Sequence, residues 1–303
     1  MSSLQIIYGT KTCGINVTEI CMNQLRNNNI ITIPYGEVTR AYYFSDPIIG
    51  TEKKVFIIIN NAVAGFDANY MIHINIDTNE YTFESDVDVG HRWIQMKSKL
   101  QFQHGKFEDE IPEMLMALRF LKGDEKILEI GGNIGRNSLI ISHIMGKNQE
   151  NLVVMESDEE TASQLIDNRN INNRIFQVEN SALSKRKLIQ KGWMTHVTES
   201  DVLPEGHKWV KTISLPELRA KYNIKFDTLV LDCETAFYYI LKDYPEILDG
   251  INLIIMENDY HTIEPKKYVD EVLTKHGFYR YYIESGGWGP CFGCFYETWK
   301  RRT

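Results

Sequence analysis

A short segment around residue 130 combines an acidic side chain with closely spaced glycines, a pattern typical of a nucleotide-type ligand site. One glutamate precedes three glycines: Glu129, Gly131, Gly132 and Gly135. Glycine is needed where backbone must approach a ligand closely or adopt a positive φ. The spacing lacks the G-x-G-x-x-G of dinucleotide sites and the G-K-[ST] of P-loops. The acidic residue favours a ligand with a positively charged amino group, and S-adenosylmethionine, with an ammonium and a sulfonium, is such a ligand.

The next two apolar runs end in residues suited to a nucleoside. Glu156 ends the run LVVMES, 25 residues after Gly131. In a Rossmann-like fold, a carboxylate at the end of the second strand hydrogen-bonds the ribose hydroxyls. The run RIFQVEN ends in Asn180 and is followed by Ser181 and Ala182, and an adenine would lie beside these three residues.

Further polar residues follow the apolar runs TLVLDCE and NLIIMEN. Because ligands of doubly wound sheets bind at the carboxyl ends of the strands, these residues should lie at the same edge of the sheet. A side chain at this edge could act as a general base toward an acceptor, and Asp232 is also suited to contact the amino group of the ligand. The candidate bases are Asp232, Glu234 and His261. The candidates for contact with the acceptor are Glu257, Asp259 and Trp288, with Trp193 and His196 as weaker ones. The spacing does not demand a metal ion.

The elements that position these residues alternate between strands and helices from about residue 105 onward, which predicts βαβ units and a mainly parallel sheet. A helix over residues 111–121, with Pro112 in its first turn, should precede the first strand. Two tail runs, FYRYYIES and CFGCFYETW, are expected to add antiparallel terminal strands. We therefore predict an α/β fold with a Rossmann-like, doubly wound sheet over residues 99–303.

Residues 1–98 predict a smaller β-rich accessory domain, resembling a β-sandwich. Short runs rich in Ile, Val and Tyr alternate with Gly, Asn, Asp and Pro, as in IITIPYG and NYMIHINID. One helix is expected over residues 18–27, with Thr18 as its N-cap. This domain is expected to hold a glycan acceptor or to form a homo-oligomer.

Five sequence blocks over about residues 105–280 resemble the FkbM-like S-adenosylmethionine-dependent methyltransferases. They are HGKFEDE with LKGDEKILEIGGNIG, VVMESDEETASQLIDNRNIN, ENSALS, TISLPELRAKYNIKFDTLVLDCETAFYYIL and IIMENDYHTIEPKKYVDEVLTKHGF. The resemblance implies a methyltransferase sheet and methylation of a hydroxyl, most often on a sugar or glycan. It adds Glu108, Asn133, Asn137 and Ser157 to the cofactor-binding residues.

Three departures from the family pattern leave two alternatives open. The family's Lys, Gly and second Glu around the fourth strand are Val230, Thr235 and Phe237 here. They motivate a non-catalytic protein that binds glycans or partners through a degenerate methyltransferase domain. A nucleic-acid methyltransferase is the less favoured alternative, because D-C-E-T replaces the usual [DNS]-P-P-[YFW] loop and the net charge is −8.

Composition sets the broad class. Hydrophobic residues make up 43% and charged residues 24% of the 303 residues, which indicates a folded globular chain. No apolar run approaches the length of a membrane span, and the amino terminus lacks a signal-peptide pattern, so we expect a cytoplasmic protein. Five scattered cysteines fit a reducing compartment, and we interpret the pair Cys291 and Cys294 as packed thiols in a strand-like run.

Overall fold

The computed structural model describes residues 4–192 and 194–302, so the candidate Trp193 lies outside the described residues. The amino-terminal part contains eight strands and three helices. The strands are β1 (Leu4–Gly9), β2 (Gly14–Asn16), β3 (Arg26–Asn27), β4 (Ile30–Ile33), β5 (Lys54–Ile59), β6 (Ala62–Phe66), β7 (Tyr70–Asn75) and β8 (Glu80–Ser85). The helices are α1 (Thr18–Gln24), α2 (Glu37–Phe44) and α3 (Val87–Lys97).

These strands form two four-stranded antiparallel sheets, in the orders β2-β1-β5-β6 and β3-β4-β7-β8. Their alternating side chains enclose a core of their own, in which Ile6, Ile31, Ile72 and Ile74 are fully buried. The result confirms the predicted smaller β-rich unit. In the sheet β3-β4-β7-β8, Met71 instead joins the core of the second part of the chain.

The one helix predicted for this part is corrected at both ends. Helix α1 ends at Gln24 rather than residue 27, because residues 26–27 pair with β4 as strand β3. Val17 is its N-cap, and the Thr18 hydroxyl instead accepts a hydrogen bond from the Ile6 amide at 2.8 Å. Helices α2 and α3 were not predicted from the sequence.

The described residues of the second part form twelve strands and six α-helices. The strands are β9 (Ile127–Ile130), β10 (Leu152–Met155), β11 (Gln177–Glu179), β12 (Ala182–Leu183), β13 (Leu188–Lys191), β14 (Met194–Val197), β15 (Lys208–Val210), β16 (Thr212–Ile213), β17 (Thr228–Leu231), β18 (Leu253–Glu257), β19 (Phe278–Glu284) and β20 (Tyr296–Arg301). The helices are α4 (Ile111–Phe120), α5 (Arg136–Met145), α6 (Glu159–Ile171), α7 (Leu215–Tyr222), α8 (Ala236–Asp243) and α9 (Ile263–Lys275).

Seven of these strands form the main sheet, in the order β11-β10-β9-β17-β18-β20-β19. The first five are parallel, and β20 and β19 are antiparallel. Strands β9, β10 and β17 are buried along their whole length, as expected for parallel strands covered by helices on both faces. This is the predicted Rossmann-like α/β sheet with antiparallel terminal strands.

Two segments of this part differ from a simple alternation of strands and helices. Residues 188–191 and 194–197 are strands of a three-stranded antiparallel sheet, β14-β13-β15, which is inserted between β12 and β16. Residues 289–294, which contain Cys291 and Cys294, form a 3-10 turn rather than a strand, and both thiols are free.

Helix α2 joins the two parts at β19. The Thr39 hydroxyl donates to the Ile283 carbonyl at 3.0 Å and accepts from the Ile283 amide at 2.8 Å. The Tyr43 hydroxyl donates to the Arg280 carbonyl. Among the described residues, no helix is both long and apolar enough to cross a membrane.

Candidate functional site

The glycine turn after β9 is pressed against the neighbouring strand ends. The amides of Gly131 and Gly132 both donate to the Met155 carbonyl at 3.0 Å. Gly131 has φ +91°, and a Cβ there would lie 1.5 Å from the carbonyl oxygen of Asp232. A Cβ on Gly132 would lie 2.2 Å from a methyl carbon of Val154. Only glycine fits these two positions, so the sequence pattern has a steric cause.

Glu156, at the end of β10, is held by the backbone around it. Its Oε2 accepts from the Asn133 amide at 2.9 Å, and its Oε1 accepts from the Asp158 amide at 2.8 Å. A carboxylate offers about four acceptor positions, so each oxygen can accept one more hydrogen bond. Burial raises the pKa of Glu156 to about 7, although the backbone amide donors act to lower it. The carboxylate is therefore fixed in place and still able to accept from a pair of hydroxyls.

The residues after β11 lie beside Glu156. The Asn180 side chain donates to the Glu156 carbonyl at 2.9 Å. Ser181 is buried and its hydroxyl donates to Glu179 at 2.9 Å, whereas Asn180 and Ala182 are partly exposed. The exposed surface next to Glu156 thus comes from Asn180 and Ala182 rather than from the Ser181 hydroxyl.

The structure directs a different glutamate to the glycine turn from the one expected. Glu108 forms an ion pair with Lys97 on α3. Glu110, which the sequence analysis missed, accepts from the Asn133 side chain at 3.0 Å and from Arg136 at 2.9 Å. The run HGKFEDE contains both glutamates. The position of Glu110 at the start of α4 was the sequence signal that could have identified it.

The other residues implied by the resemblance lie around the same turn. Asn137 is in the first turn of α5, and its side-chain oxygen is buried without a partner among the described residues. The amide of Ser157 faces the Glu156 carboxylate.

Carboxylates from three elements meet at the ends of β17 and β18. Glu257 lies near Glu113 of α4, which the sequence analysis did not identify. Two neighbouring carboxyls disfavour each other's ionisation. Accordingly, burial and the neighbouring Glu113 raise the pKa of Glu257 to about 11. Glu113 is only 5% exposed, and its Oε2 has no hydrogen-bond donor in the described structure.

Glu129 and Asp232 extend this acidic cluster toward the glycine turn. Glu129 is 3% exposed, and its Oε2 has no partner among the residues described. Burial raises the pKa of Glu129 to about 8. Burial, together with the nearby carboxylates of Glu113 and Glu110, raises the pKa of Asp232 well above its usual value. The edge of the sheet beside the glycine turn is therefore lined with carboxyl groups whose burial favours protonation.

A second carboxylate pair lies at the same edge. Glu234 has φ +53°, an uncommon value for a residue other than glycine. Its carboxyl lies near that of Asp259. Desolvation and the neighbouring Asp259 raise the pKa of Glu234 to about 8. The pair can thus hold or accept a proton near neutral pH.

His261 and Trp288 pack against each other beyond these carboxylates. Their ring centroids are 4.8 Å apart, and Trp288 is 43% exposed. Asn258 anchors the turn that follows Trp288, since its side chain donates to the Cys294 carbonyl at 2.6 Å. The sequence candidate His196 lies elsewhere, on β14, where its ring faces His207 at 6.5 Å.

The departures from the family pattern are mostly buried. Val230 is 3% exposed and Phe237 is 1% exposed, and both belong to the core. Thr235 is the N-cap residue of α8. Among the described residues, no group of three or more His, Cys, Asp or Glu side chains has an arrangement that could hold a metal ion.

No protein-family model matches the chain, and no curated protein is recognisably similar to it in sequence. Among solved structures, it is similar to a ribosomal protein L11 methylase from Lactobacillus delbrueckii subsp. bulgaricus (12% identity, TM-score 0.43, 67% of this chain and 82% of that one). It is also similar to a putative O-methyltransferase from Klebsiella pneumoniae (14% identity, TM-score 0.37, 71% of this chain and 90% of that one). A third similar structure is the Bacillus cereus O-methyltransferase in complex with SAH (12% identity, TM-score 0.38, 70% of this chain and 88% of that one). At this level of similarity, activity has to be argued from the site of this chain alone.

Proposed function

We propose that the protein is an S-adenosylmethionine-dependent O-methyltransferase that methylates a hydroxyl of a sugar or glycan. The observation that carries the proposal is the Glu156 carboxylate, oriented by backbone amides at the end of β10 beside the glycine turn. Each oxygen can accept one further bond, which matches the two hydroxyls of a ribose. The acidic cluster suits the ammonium and sulfonium of the same molecule. These carboxylates, as hydrogen-bond acceptors and anionic groups, fit S-adenosylmethionine.

Some residues of the site would contact the cofactor, and others would contact the acceptor. Glu156 would hold the ribose, Asn180 and Ala182 would border the adenine, and Gly131 and Asp232 would border the methionine part. Bound S-adenosylmethionine would supply a methyl group on a positively charged sulfur, to be displaced in line by the acceptor oxygen. Alignment of two reacting groups can supply about 7–11 kcal/mol of the barrier.

Glu234 is the general base in this proposal. A base works best with a pKa near the operating pH, and the pKa of Glu234 is raised to about 8. Glu234 would take the hydroxyl proton, and the neighbouring Asp259 would keep it basic. Asp232 is assigned to the methionine part instead, because it follows β17 directly beside Gly131. Glu257 borders the acceptor, and Trp288 with His261 offers an aromatic surface for a sugar ring.

The remaining assignments are also proposals. The catalytic unit is residues 99–303, related to the FkbM-like family, and residues 1–98 form an accessory domain that holds the glycan or makes a homo-oligomer. Its hydrogen bonds to β19 through Thr39 tie it to the catalytic sheet. Nucleic acid is not the expected acceptor, given the acidic site and the net charge of −8. The expected compartment is the cytoplasm.

The test is calorimetric titration of S-adenosylhomocysteine into the wild type, Glu156→Ala and Glu150→Ala. Glu150 is an exposed control in the turn before β10, at the opposite end of that strand from Glu156. Hydrogen bonds to a charged group contribute about 1.5–3 kcal/mol each, so loss of two should weaken binding by about a hundredfold or more. The control should bind as the wild type does. No binding to folded wild type, or equal binding to Glu156→Ala, would refute the proposal. A screen of sugars and nucleotide sugars with radiolabelled S-adenosylmethionine then identifies the acceptor.

A further inference from the structure

The inserted sheet β14-β13-β15 has a buried inner face that includes Lys208. Opposite residues of an antiparallel pair carry their side chains on the same face of a sheet. Gln190 of β13 is opposite Lys208 of β15, and Leu188 with Val210 forms the next pair on that face. All of these except Lys208 are buried, whereas Trp209 on the outer face is 41% exposed. Lys208 therefore lies on the side of the sheet that packs against the rest of the chain.

Lys208 connects this inner face to the loop that follows β10. Its ammonium forms an ion pair with Oδ2 of Asp158, whose side chain is only 13% exposed. The other oxygen of Asp158 accepts from the amide of Thr161 at 2.9 Å, which caps the start of α6. Asp158 is therefore held from two sides, by the helix α6 and by the inserted sheet.

Asp158 in turn helps to orient the Glu156 carboxylate. Its amide donates to Oε1 of Glu156 at 2.8 Å, and this is one of the two backbone hydrogen bonds that hold the carboxylate. Burial raises the pKa of Glu156 to about 7, and the positive charge of Lys208 acts in the opposite direction. Lys208 thus fixes the residue that donates to Glu156, and it also favours the charged form of the carboxylate.

We propose that Lys208 is a positioning residue for Glu156, so that the inserted sheet is part of the cofactor site. The inference rests on the proposed function, in which Glu156 binds the ribose hydroxyls, and it adds a residue from outside the main sheet to that site. The two strands that flank the insertion, β12 and β16, pair with each other at Ala182 and Thr212. The insertion therefore begins and ends beside Ala182, which would border the adenine.

The test is calorimetric titration of S-adenosylhomocysteine into the wild type, Lys208→Gln and Lys208→Arg. Loss of a partly exposed ion pair should weaken binding by about three- to fivefold in Lys208→Gln. Lys208→Arg keeps the charge and should bind within about twofold of the wild type. A second ligand is the 2′,3′-dideoxy analogue of S-adenosylhomocysteine, measured by competition. It lacks both ribose hydroxyls, so Lys208→Gln should bind it as the wild type does, which a general loosening of the site would not allow.

The matched control is Lys187→Gln, which removes an ion pair with the exposed Asp201, at 2.5 Å, from the same inserted sheet. Lys187 lies over the ring of Trp209 on the outer face, so this variant should keep the wild-type affinity. Wild-type affinity in Lys208→Gln, equal weakening in Lys187→Gln, or an equal loss for both ligands would overturn the inference and leave the methyltransferase proposal standing. Failure of S-adenosylhomocysteine to bind folded wild type would refute the proposed function itself, and this inference with it.

Discussion

Replacing Glu129 by Gln should stabilise the cofactor-free protein, and more at pH 7 than at pH 5. Glu129 is 3% exposed, and burial raises its pKa from 4.5 to about 8. A carboxyl with a raised pKa in the folded state favours folding while it is protonated and loses that contribution as the pH rises from about 4.5 to 8. The neutral amide of Gln has almost the same shape and does not titrate.

The size of the effect follows from this pKa. One pH unit corresponds to about 1.4 kcal/mol, so ionisation or forced protonation of Glu129 reduces stability by roughly 3 kcal/mol at pH 7 and roughly 1 kcal/mol at pH 5. Urea unfolding of the wild type, Glu129→Gln and the exposed control Glu150→Gln at both pH values measures it. An equal gain at the two pH values, or a loss at pH 7, would refute the reasoning that Glu129 is an unpaired buried acid.

Three further outcomes are expected. Asp259→Asn should move the acidic limb of the pH profile of kcat/KM about one pH unit lower, because it removes a neighbouring carboxylate that raises the pKa of Glu234. An unchanged acidic limb would argue against Glu234 as the base. Gly131→Ala should abolish S-adenosylhomocysteine binding in calorimetry, since a Cβ would collide with backbone 1.5 Å away; retained affinity would contradict the steric argument. Lys266→Ala should lower the free energy of unfolding by about 1.5–3 kcal/mol, because it takes one charged partner, at 3.0 Å, from the fully buried Glu297, which keeps Arg280 at 2.9 Å; a loss below about 1 kcal/mol in urea unfolding would contradict it.

The main sheet could be predicted from the sequence because its parallel strands are short apolar runs between helices. Residues 127–130 and 228–231 are buried on both faces, so they lack the polar alternation of a half-exposed strand. The polar residues that follow them mark the strand ends, which is why Glu156 and Asp232 could be identified without coordinates. These signals are local in the sequence, so they can be recognised without knowledge of how the elements pack.

The other half of the acidic cluster could not be predicted in this way. Glu113 lies on α4, and its proximity to Glu257 joins residues far apart in the chain. Helical periodicity assigns Glu113 a face but does not say which strand end that face meets. The choice between Glu108 and Glu110 likewise depends on how α3 and α4 pack. The hairpin after β12 was missed because its outer strand is exposed along its whole length, which leaves no apolar pattern.

The most direct test of the account is a crystal structure with S-adenosylhomocysteine bound. Both ribose hydroxyls should lie within hydrogen-bond distance, about 2.6–3.2 Å, of the Glu156 carboxylate. The adenine should lie beside Asn180 and Ala182, and the sulfur should lie nearest the Asp232 side of the acidic cluster. A ligand bound elsewhere, or a ribose that does not touch Glu156, would contradict the central claim.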